Sequence, residues 1–238
     1  MSNNVIAIIP ARGGSKRIPR KNIKDFHGLP LISYSIKIAL ESKLFDRVIV
    51  STDDKEIAKI SEKYGAEVPF FRPEKLSGDF TVTKDVIDHA LEYLDNQGEK
   101  YDYVCTIYAT APFLEKKYLC EGYEKLKNST AINSFSATSM PFPIQRTFKL
   151  KDNGRCEMFH PEYYTSRSQD LEESYQDAGQ FYWTNLVREK KSSNKIMFSE
   201  NSIPIIMPRY LVQDIDTLED WQRAEYMYAA MKNQAKDI

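Results

Sequence analysis

Val5-Ile-Ala-Ile-Ile-Pro-Ala-Arg-Gly-Gly-Ser-Lys-Arg-Ile-Pro-Arg-Lys-Asn22 passes from an unbroken apolar run into a basic loop that contains a glycine pair. Val5 to Ile9 is short and does not alternate, so it reads as a parallel strand buried on both faces. From Arg12 to Lys24 there are six basic residues and no acidic one. Gly13-Gly14 lets the backbone approach a ligand closely, with N–H groups directed at its oxygens. Ser15 adds a hydroxyl, Arg12 a planar fork and Lys21 a point charge. A charge run is ordinarily a solvated turn. Its position directly after a buried first strand argues for an anion instead, and a nucleoside triphosphate matches the loop in charge and shape. The spacing is neither GxxxxGK[ST] nor GxGxxG, so neither a P-loop motor nor a dinucleotide oxidoreductase is supported.

Outward from this stretch, short apolar runs alternate with helical periods. Arg47-Val-Ile-Val-Ser51 is a second strand, residues 67–71 a third, residues 103–108 a fourth and residues 131–137 a fifth. Between them, helical spacing covers residues 30–41, a segment capped by Asp54 and carrying Ile57, Ala58, Ile60 and Tyr64, residues 83–94, and residues 117–127. This alternation predicts an α/β fold with a mainly parallel sheet and helices on both faces. Ligands in such sheets bind beyond the carboxyl ends of the strands, here the loops after Ile9, Ser51 and Tyr108. Residues 138–210 break the pattern with Pro141, Pro143 and Pro161 and are rich in Tyr, Phe and Trp. They read as an inserted lobe or oligomer surface, with an antiparallel meander in its outer parts. Thr217-Leu-Glu-Asp220 is a capping box before a closing helix. Nothing splits the chain, so residues 1–238 read as one domain.

Composition narrows the class. The chain has 238 residues, 42% hydrophobic and 12% aromatic, with Lys+Arg 33 against Asp+Glu 34. A net charge of −1 excludes a globally basic nucleic-acid binder, and the apolar content excludes a disordered chain. No apolar run approaches the roughly 20 residues of a membrane helix, and residues 1–4 carry no basic leader region, so neither a membrane nor a secretory route is expected. Cys105, Cys120 and Cys156 form neither a disulfide framework nor a CxxC knuckle, which fits a reducing cytoplasm. Cys105, within a buried strand, reads as an inert small hydrophobe.

A second candidate site lies late in the chain, at Gln213-Asp-Ile-Asp-Thr217. In extended backbone Asp214 and Asp216 face the same way and could present two oxygens to one hard cation. Mg²⁺ is commonly held by one or two carboxylates together with substrate phosphates. Taken alone, the segment reads as a helix cap. Beside a phosphate-binding loop, the metal reading is the better one. Asp53 has two open readings, a helix cap or a nucleotide-facing group.

Ile8-Ile-Pro-Ala-Arg-Gly-Gly-Ser-Lys-Arg-Ile-Pro-Arg-Lys-Asn22 resembles the signature of the cytidylyltransferases that activate sialic acid and its relatives. Ser51-Thr52-Asp53, Arg72-Pro73, Leu76, Asp79, Thr110-Ala111-Pro112 and Asp214-Ile215-Asp216-Thr217 match further blocks in order. The resemblance spans essentially the whole chain. It implies a Rossmann-like nucleotide-diphospho-sugar transferase fold and a nucleotidyltransferase that joins CMP from CTP to a nonulosonic acid and releases pyrophosphate. It also implies Mg²⁺, and a homodimer through an inserted segment at about residues 138–165 that crosses towards the partner's sugar site.

Carried over residue by residue, the resemblance assigns the nucleotide to Ala11, Arg12, Gly13, Gly14, Ser15, Lys21, Asn22, Arg72, Thr81 and Thr83. Arg12, Lys21 and Asp216 are the catalytic candidates, and Asp214 and Asp216 the metal ligands. Arg167 would take the sugar carboxylate, with Tyr108, Thr110, Gln169 and Gln180 as polar readers. Tyr182 and Trp183 are pocket walls or plain core. Two departures point to the branch that acts on pseudaminic acid, a bacterial surface and flagellar sugar. Tyr108-Ala-Thr-Ala-Pro112 replaces the sialic acid enzymes' Gln-Pro-Thr-Ser-Pro, and Tyr164-Thr-Ser-Arg-Ser-Gln-Asp-Leu171 with Tyr175-Gln-Asp-Ala-Gly-Gln-Phe-Tyr-Trp183 is similar to that branch. Sialic acid, legionaminic acid and Kdo are the alternative sugars. A regulator that binds CTP without turnover is the alternative of another class.

Overall fold

A computed structural model describes residues 4–234; residues 1–3, part of the segment read for a leader, lie outside the described residues. In chain order the strands and helices are β1 (Val5–Pro10), β2 (Asp25–Phe26), β3 (Leu29–Pro30), α1 (Leu31–Ser42), β4 (Arg47–Ser51), α2 (Lys55–Lys63), α3 (Thr83–Asn96), β5 (Tyr103–Ile107), α4 (Lys116–Lys127), β6 (Asn133–Ser139), β7 (Phe148–Leu150), β8 (Cys156–Met158), β9 (Tyr175–Asn185), α5 (Leu186–Lys191), β10 (Ser202–Ile206) and α6 (Leu218–Gln234). The main sheet has the order β10-β6-β9-β5-β1-β4. β1 lies parallel between β4 and β5, and β10 is parallel to β6.

The period-two alternation of a strand explains how β1 serves both faces. Val5, Ala7 and Ile9 join a core with Leu31 and Ile36 of α1, Leu119 of α4 and Trp221 of α6. Ile6 and Ile8 point the other way, onto Ile87, Ala90 and Leu94 of α3 and Leu186 of α5. Helices therefore cover both faces of a mainly parallel sheet, as the alternation predicts. Cys105 is buried in β5, and burial pushes its thiol far above the usual range, as expected of an inert residue.

Two segments depart from the sequence reading. Residues 67–71 make only isolated bridges to the β4 side, Ile49 with Glu67 and Thr52 with Phe71. Pro69 has no N–H to give a ladder, so a continuous strand cannot form there. The larger difference is β9, which falls within the stretch read as an outer lobe. It runs antiparallel between β5 and β6 in the middle of the sheet. Its carboxyl half is core: Phe181 and Trp183 are buried, and the Trp183 indole N–H donates to the Leu119 carbonyl at 3.2 Å. Gly122 of α4 sits so close to these rings that a Cβ there would lie 3.0 Å from each. At its middle β9 shifts register, with Gly179 at φ 62°. There the Ser136 hydroxyl accepts from the Gln180 and Phe181 N–H groups at 3.1 and 3.2 Å, replacing the lost ladder bonds. β7 and β8 form a separate hairpin that pairs with no strand of the main sheet.

Candidate active site

The parallel strands β1, β4 and β5 end at one edge, and their following loops meet there. The β4 exit holds the basic loop in place. Ser51 accepts from the Ala11 N–H at 2.9 Å, and Asp53 accepts from the Gly13 N–H at 2.9 Å. Asp54 caps α2 through the Glu56 and Ile57 N–H groups and takes Arg20 Nη1 and Nη2 at 2.5 and 2.9 Å. Arg20, at φ 57°, is fixed in a left-handed turn by this pair. Its guanidinium, helped by the cap bonds against the cost of burial, lowers the Asp54 carboxyl to about 2. A Cβ on Gly13 would fall 2.8 Å from Asp54 Oδ2, so the close passage of loop and cap requires glycine. The Asn22 amide, buried beneath the loop, donates to the Arg12 carbonyl at 3.0 Å.

The six loop cations divide by role. Arg20 is used by Asp54, and Lys24 lies 4.3 Å from the centre of the Trp221 ring. The other four reach a cleft of about 390 Å³. Arg12 and Lys16 share the two oxygens of Asp79, at 2.6 and 2.5 Å. Arg17 and Lys21 share those of Asp216, at 2.7 and 3.1 Å, and Lys21 also donates to the Ile215 carbonyl at 2.5 Å. The amino-terminal loop and the late acidic segment thus meet across 195 residues. Lys16 and Arg12 hold the Asp79 carboxyl below the usual carboxylate range.

The cleft brings together Arg12, Ser15, Lys21, Asn22, Arg72, Thr81, Thr83, Tyr108, Thr110 and Asp216 from the residues singled out in the sequence. Arg72 is buried; its Nη2 donates to the Ser51 carbonyl at 2.7 Å and its Nη1 to the Leu76 carbonyl at 3.3 Å. Burial pushes the Arg72 guanidinium pKa down, Asp53 opposing and Arg12 adding to the effect. Ala11, Gly13, Gly14, Gln180, Arg167, Gln169 and Asp214 do not line the cleft. Ala11 is buried in the loop's base, and Gly13 N–H is taken by Asp53. Gln180 is buried and donates to the Leu211 carbonyl at 2.5 Å, bracing the turn that leads into the acidic segment. Arg167 is exposed and bound to Asp170 by Nε and Nη2, with Gln169 exposed on the same turn. Asp214 stays solvent-accessible, yet surrounding protein and the Asp216 charge push its carboxyl above the usual range. Two hard oxygen donors, Asp214 and Asp216, suit a divalent cation, and among the described residues no third His, Cys, Asp or Glu joins them in a metal-binding group.

A second cavity of about 310 Å³ adjoins the first, and Thr83 and Tyr108 line both. Ile87, Leu91, Val104, Leu186, Met197 and Phe198 give it its apolar surface, and its polar members include Asp177, Tyr182 and the Lys84–Glu189 ion pair at 3.2 Å. The Tyr182 hydroxyl donates to Asp177 at 2.5 Å, its ring lies 5.2 Å from that of Tyr108, and burial raises its pKa strongly. Of this cavity the sequence offered Tyr108 as a sugar reader and Tyr182 as a pocket wall or core, but not the rest, because Met197 and Phe198 lie in an irregular segment without periodicity. It also left Asp53 open and gave Lys16 and Arg17 no role of their own. Their one signal was the unopposed positive charge of the loop.

The model of the family described as Cytidylyltransferase matches residues 6–228. The chain belongs to the cytidylyltransferase family. It is 47% identical over 223 residues to a pseudaminic acid cytidylyltransferase of Campylobacter jejuni, covering 94% of this chain and 95% of that protein. It is 30% identical over 234 residues to the CMP-N,N'-diacetyllegionaminic acid synthase of Legionella pneumophila, covering 93% and 94%. Among solved structures, a CMP-2-keto-3-deoxy-manno-octonic acid synthetase complexed with CTP superposes with TM-score 0.69 at 15% identity, over 96% of this chain and 99% of that one. At that identity the likeness shows a shared fold. As a cytidylyltransferase the chain is a nucleotidyltransferase, and the cleft at the carboxyl ends of β1, β4 and β5 is where that fold class takes its ligands.

Proposed function

We propose that the enzyme transfers CMP from CTP to pseudaminic acid and releases pyrophosphate. The observation that carries this reading is the convergence of four loop cations and Asp216 on one cleft that opens, past Tyr108, into an apolar cavity. The cleft suits a triphosphate, and the cavity beyond it suits a sugar acid bearing apolar acyl groups. The anomeric oxygen bonds to the α-phosphorus, its proton passes to water, and the bond to the departing pyrophosphate breaks. Arg12, Lys16 and Lys21 bind the phosphates and offset charge that grows on the leaving group. Arg72 and Asn22 fix the loop and the cleft floor, and Thr81, Thr83 and Thr110 offer hydroxyls to the nucleotide and sugar. Tyr108 separates the two substrates and holds the sugar's approach in line with the phosphate. His27, His89 and His160 line neither cavity.

Asp214 and Asp216 would hold Mg²⁺, whose chemistry is to neutralise and orient phosphate oxygens. Asp216, now paired with Arg17 and Lys21, would in that role release both cations to the substrate. We further propose that the chain acts as one catalytic domain and pairs with a second copy through residues 138–165. Phe142, Phe148, Leu150, Phe159 and Tyr164 on and around the β7–β8 hairpin are exposed, as an unpartnered interface would be. In this arrangement Arg167 and Gln169 serve the other copy's sugar cavity. No helix among the described residues is long and apolar enough to cross a membrane, and we place the reaction in the cytoplasm, in keeping with three free cysteines. A pyrophosphate-release assay with CTP, Mg²⁺ and a panel of pseudaminic, sialic, legionaminic and Kdo acids tests the reading. Fastest turnover with pseudaminic acid is expected. Faster turnover with another acid would overturn the sugar assignment, and CTP binding without product from any acid would overturn the transferase reading.

A further inference from the structure

We propose that Asp79 is an internal stand-in for the triphosphate, competing with CTP and with pyrophosphate for Arg12 and Lys16 and so setting how tightly both are held. The proposal rests on the reading of the cleft as a triphosphate site.

Asp79 belongs to the segment between Leu76 and the start of α3 at Thr83, and with Gly78 and Thr81 it lines the cleft. Its two oxygens each meet a different cation, Arg12 Nη1 at 2.6 Å and Lys16 Nζ at 2.5 Å. One carboxylate bridging a guanidinium and an ammonium reproduces the contact that two oxygens of a phosphate chain would make there. Both cations cannot give their full donor sets to a triphosphate while this carboxylate remains in place.

The segment is built to let go. Its upstream end is pinned by the Arg72 guanidinium on the Leu76 carbonyl at 3.3 Å and by the Ser77 hydroxyl on the Pro73 carbonyl at 3.1 Å. Its downstream end enters α3, where Val82 makes no side-chain cap. Between these ends Phe80 is 98% exposed and Val82 62%, so no apolar packing ties the segment down. The Asp79 pairs are exposed ion pairs, and pairs of that kind are individually weak enough for a multiply charged ligand to displace. The Arg20–Asp54 pair differs: its carboxylate doubles as the cap of α2, and neither residue lines the cleft.

A carboxylate that merely shaped the cleft would weaken CTP binding when removed. A competitor has the opposite signature. Asp79→Asn and Asp79→Ala should each bind CTP roughly three- to tenfold more tightly at low ionic strength, with the gain shrinking as salt is raised. Pyrophosphate should inhibit both variants at correspondingly lower concentration, and cytidine, which has no phosphate, should bind all forms alike. Titration calorimetry of CTP, pyrophosphate and cytidine against the full chain, its two Asp79 variants and Arg12→Ala separates the cases. If Arg12→Ala weakens CTP while neither Asp79 variant tightens it, the competition is refuted and the triphosphate site stands. If Arg12→Ala leaves CTP binding unchanged, the reading of the cleft fails, and the competition with it.

Discussion

The two cavities that share Tyr108 are built on opposite principles. In the cleft the four loop cations dominate, and each is answered by a protein carboxylate: Asp79 for Arg12 and Lys16, Asp216 for Arg17 and Lys21. In the adjoining cavity recognition falls more to shape, from Ile87, Leu91, Leu186, Met197 and Phe198, with a hydroxyl–carboxylate pair at Tyr182 and Asp177 and an ion pair at Lys84 and Glu189. The first site must exchange internal partners for ligand ones, so its affinities depend on salt and on competing anions. The second gains more from excluding water and depends less on both. One enzyme can thereby tune its hold on nucleotide and on sugar separately.

The comparison can be broken at four points. Asp216→Asn should have the largest effect, lowering kcat roughly a hundredfold with partial recovery at raised Mg²⁺, read by pyrophosphate release; normal activity would remove Asp216 from the catalytic set. Arg12→Ala should raise the CTP dissociation constant about tenfold or more, as expected for a lost charge-assisted hydrogen bond, and leave the KM for the sugar acid nearly unchanged. Phe198→Ala should do the reverse, raising the sugar KM up to roughly tenfold with CTP binding intact; parallel changes in both constants would show that the cavities are not separable. The smallest effect is on the frame. Asp54→Asn should cost about 1–2 kcal/mol of stability at neutral pH. The folded carboxyl, at about 2, lies below its unfolded value, so its contribution is present above roughly pH 4 and lost as pH falls towards 2. Thermal melts of the two proteins should therefore converge across that interval, and a gap that persists at pH 2 would assign the loss to something other than ionisation.

The contrast also explains what could be read in advance. The cleft was legible because its chemistry is local: six cations in one loop and two carboxylates two residues apart announce themselves in a linear string. Their pairing was legible only as a consequence of both needing the same ligand. Asp79 was picked out only by its match to a family block, since a single carboxylate in a stretch without periodicity gives no sign that it faces Arg12. The apolar cavity was hidden for a related reason, because its walls come from α3, β5, β9, α5 and the segment near Phe198. β9 was misplaced because Tyr175, Gln176 and Asp177 at its start are exposed and polar, while the evidence for its central position, Phe181 and Trp183 against Gly122, is a contact between distant residues. Gln180, read as a sugar contact, is spent on bracing Leu211.

The central place of β9 has a consequence for how the chain comes into being. β1, β4 and β5 have all emerged by residue 107, yet β5 acquires its second neighbour only when residues 175–185 follow. Until then a nascent chain carries an open row of amide and carbonyl groups on an apolar strand, a surface that invites pairing with other chains. A ribosome paused anywhere in the intervening lobe prolongs that exposure, so translation speed across this stretch bears directly on the yield of correctly folded enzyme.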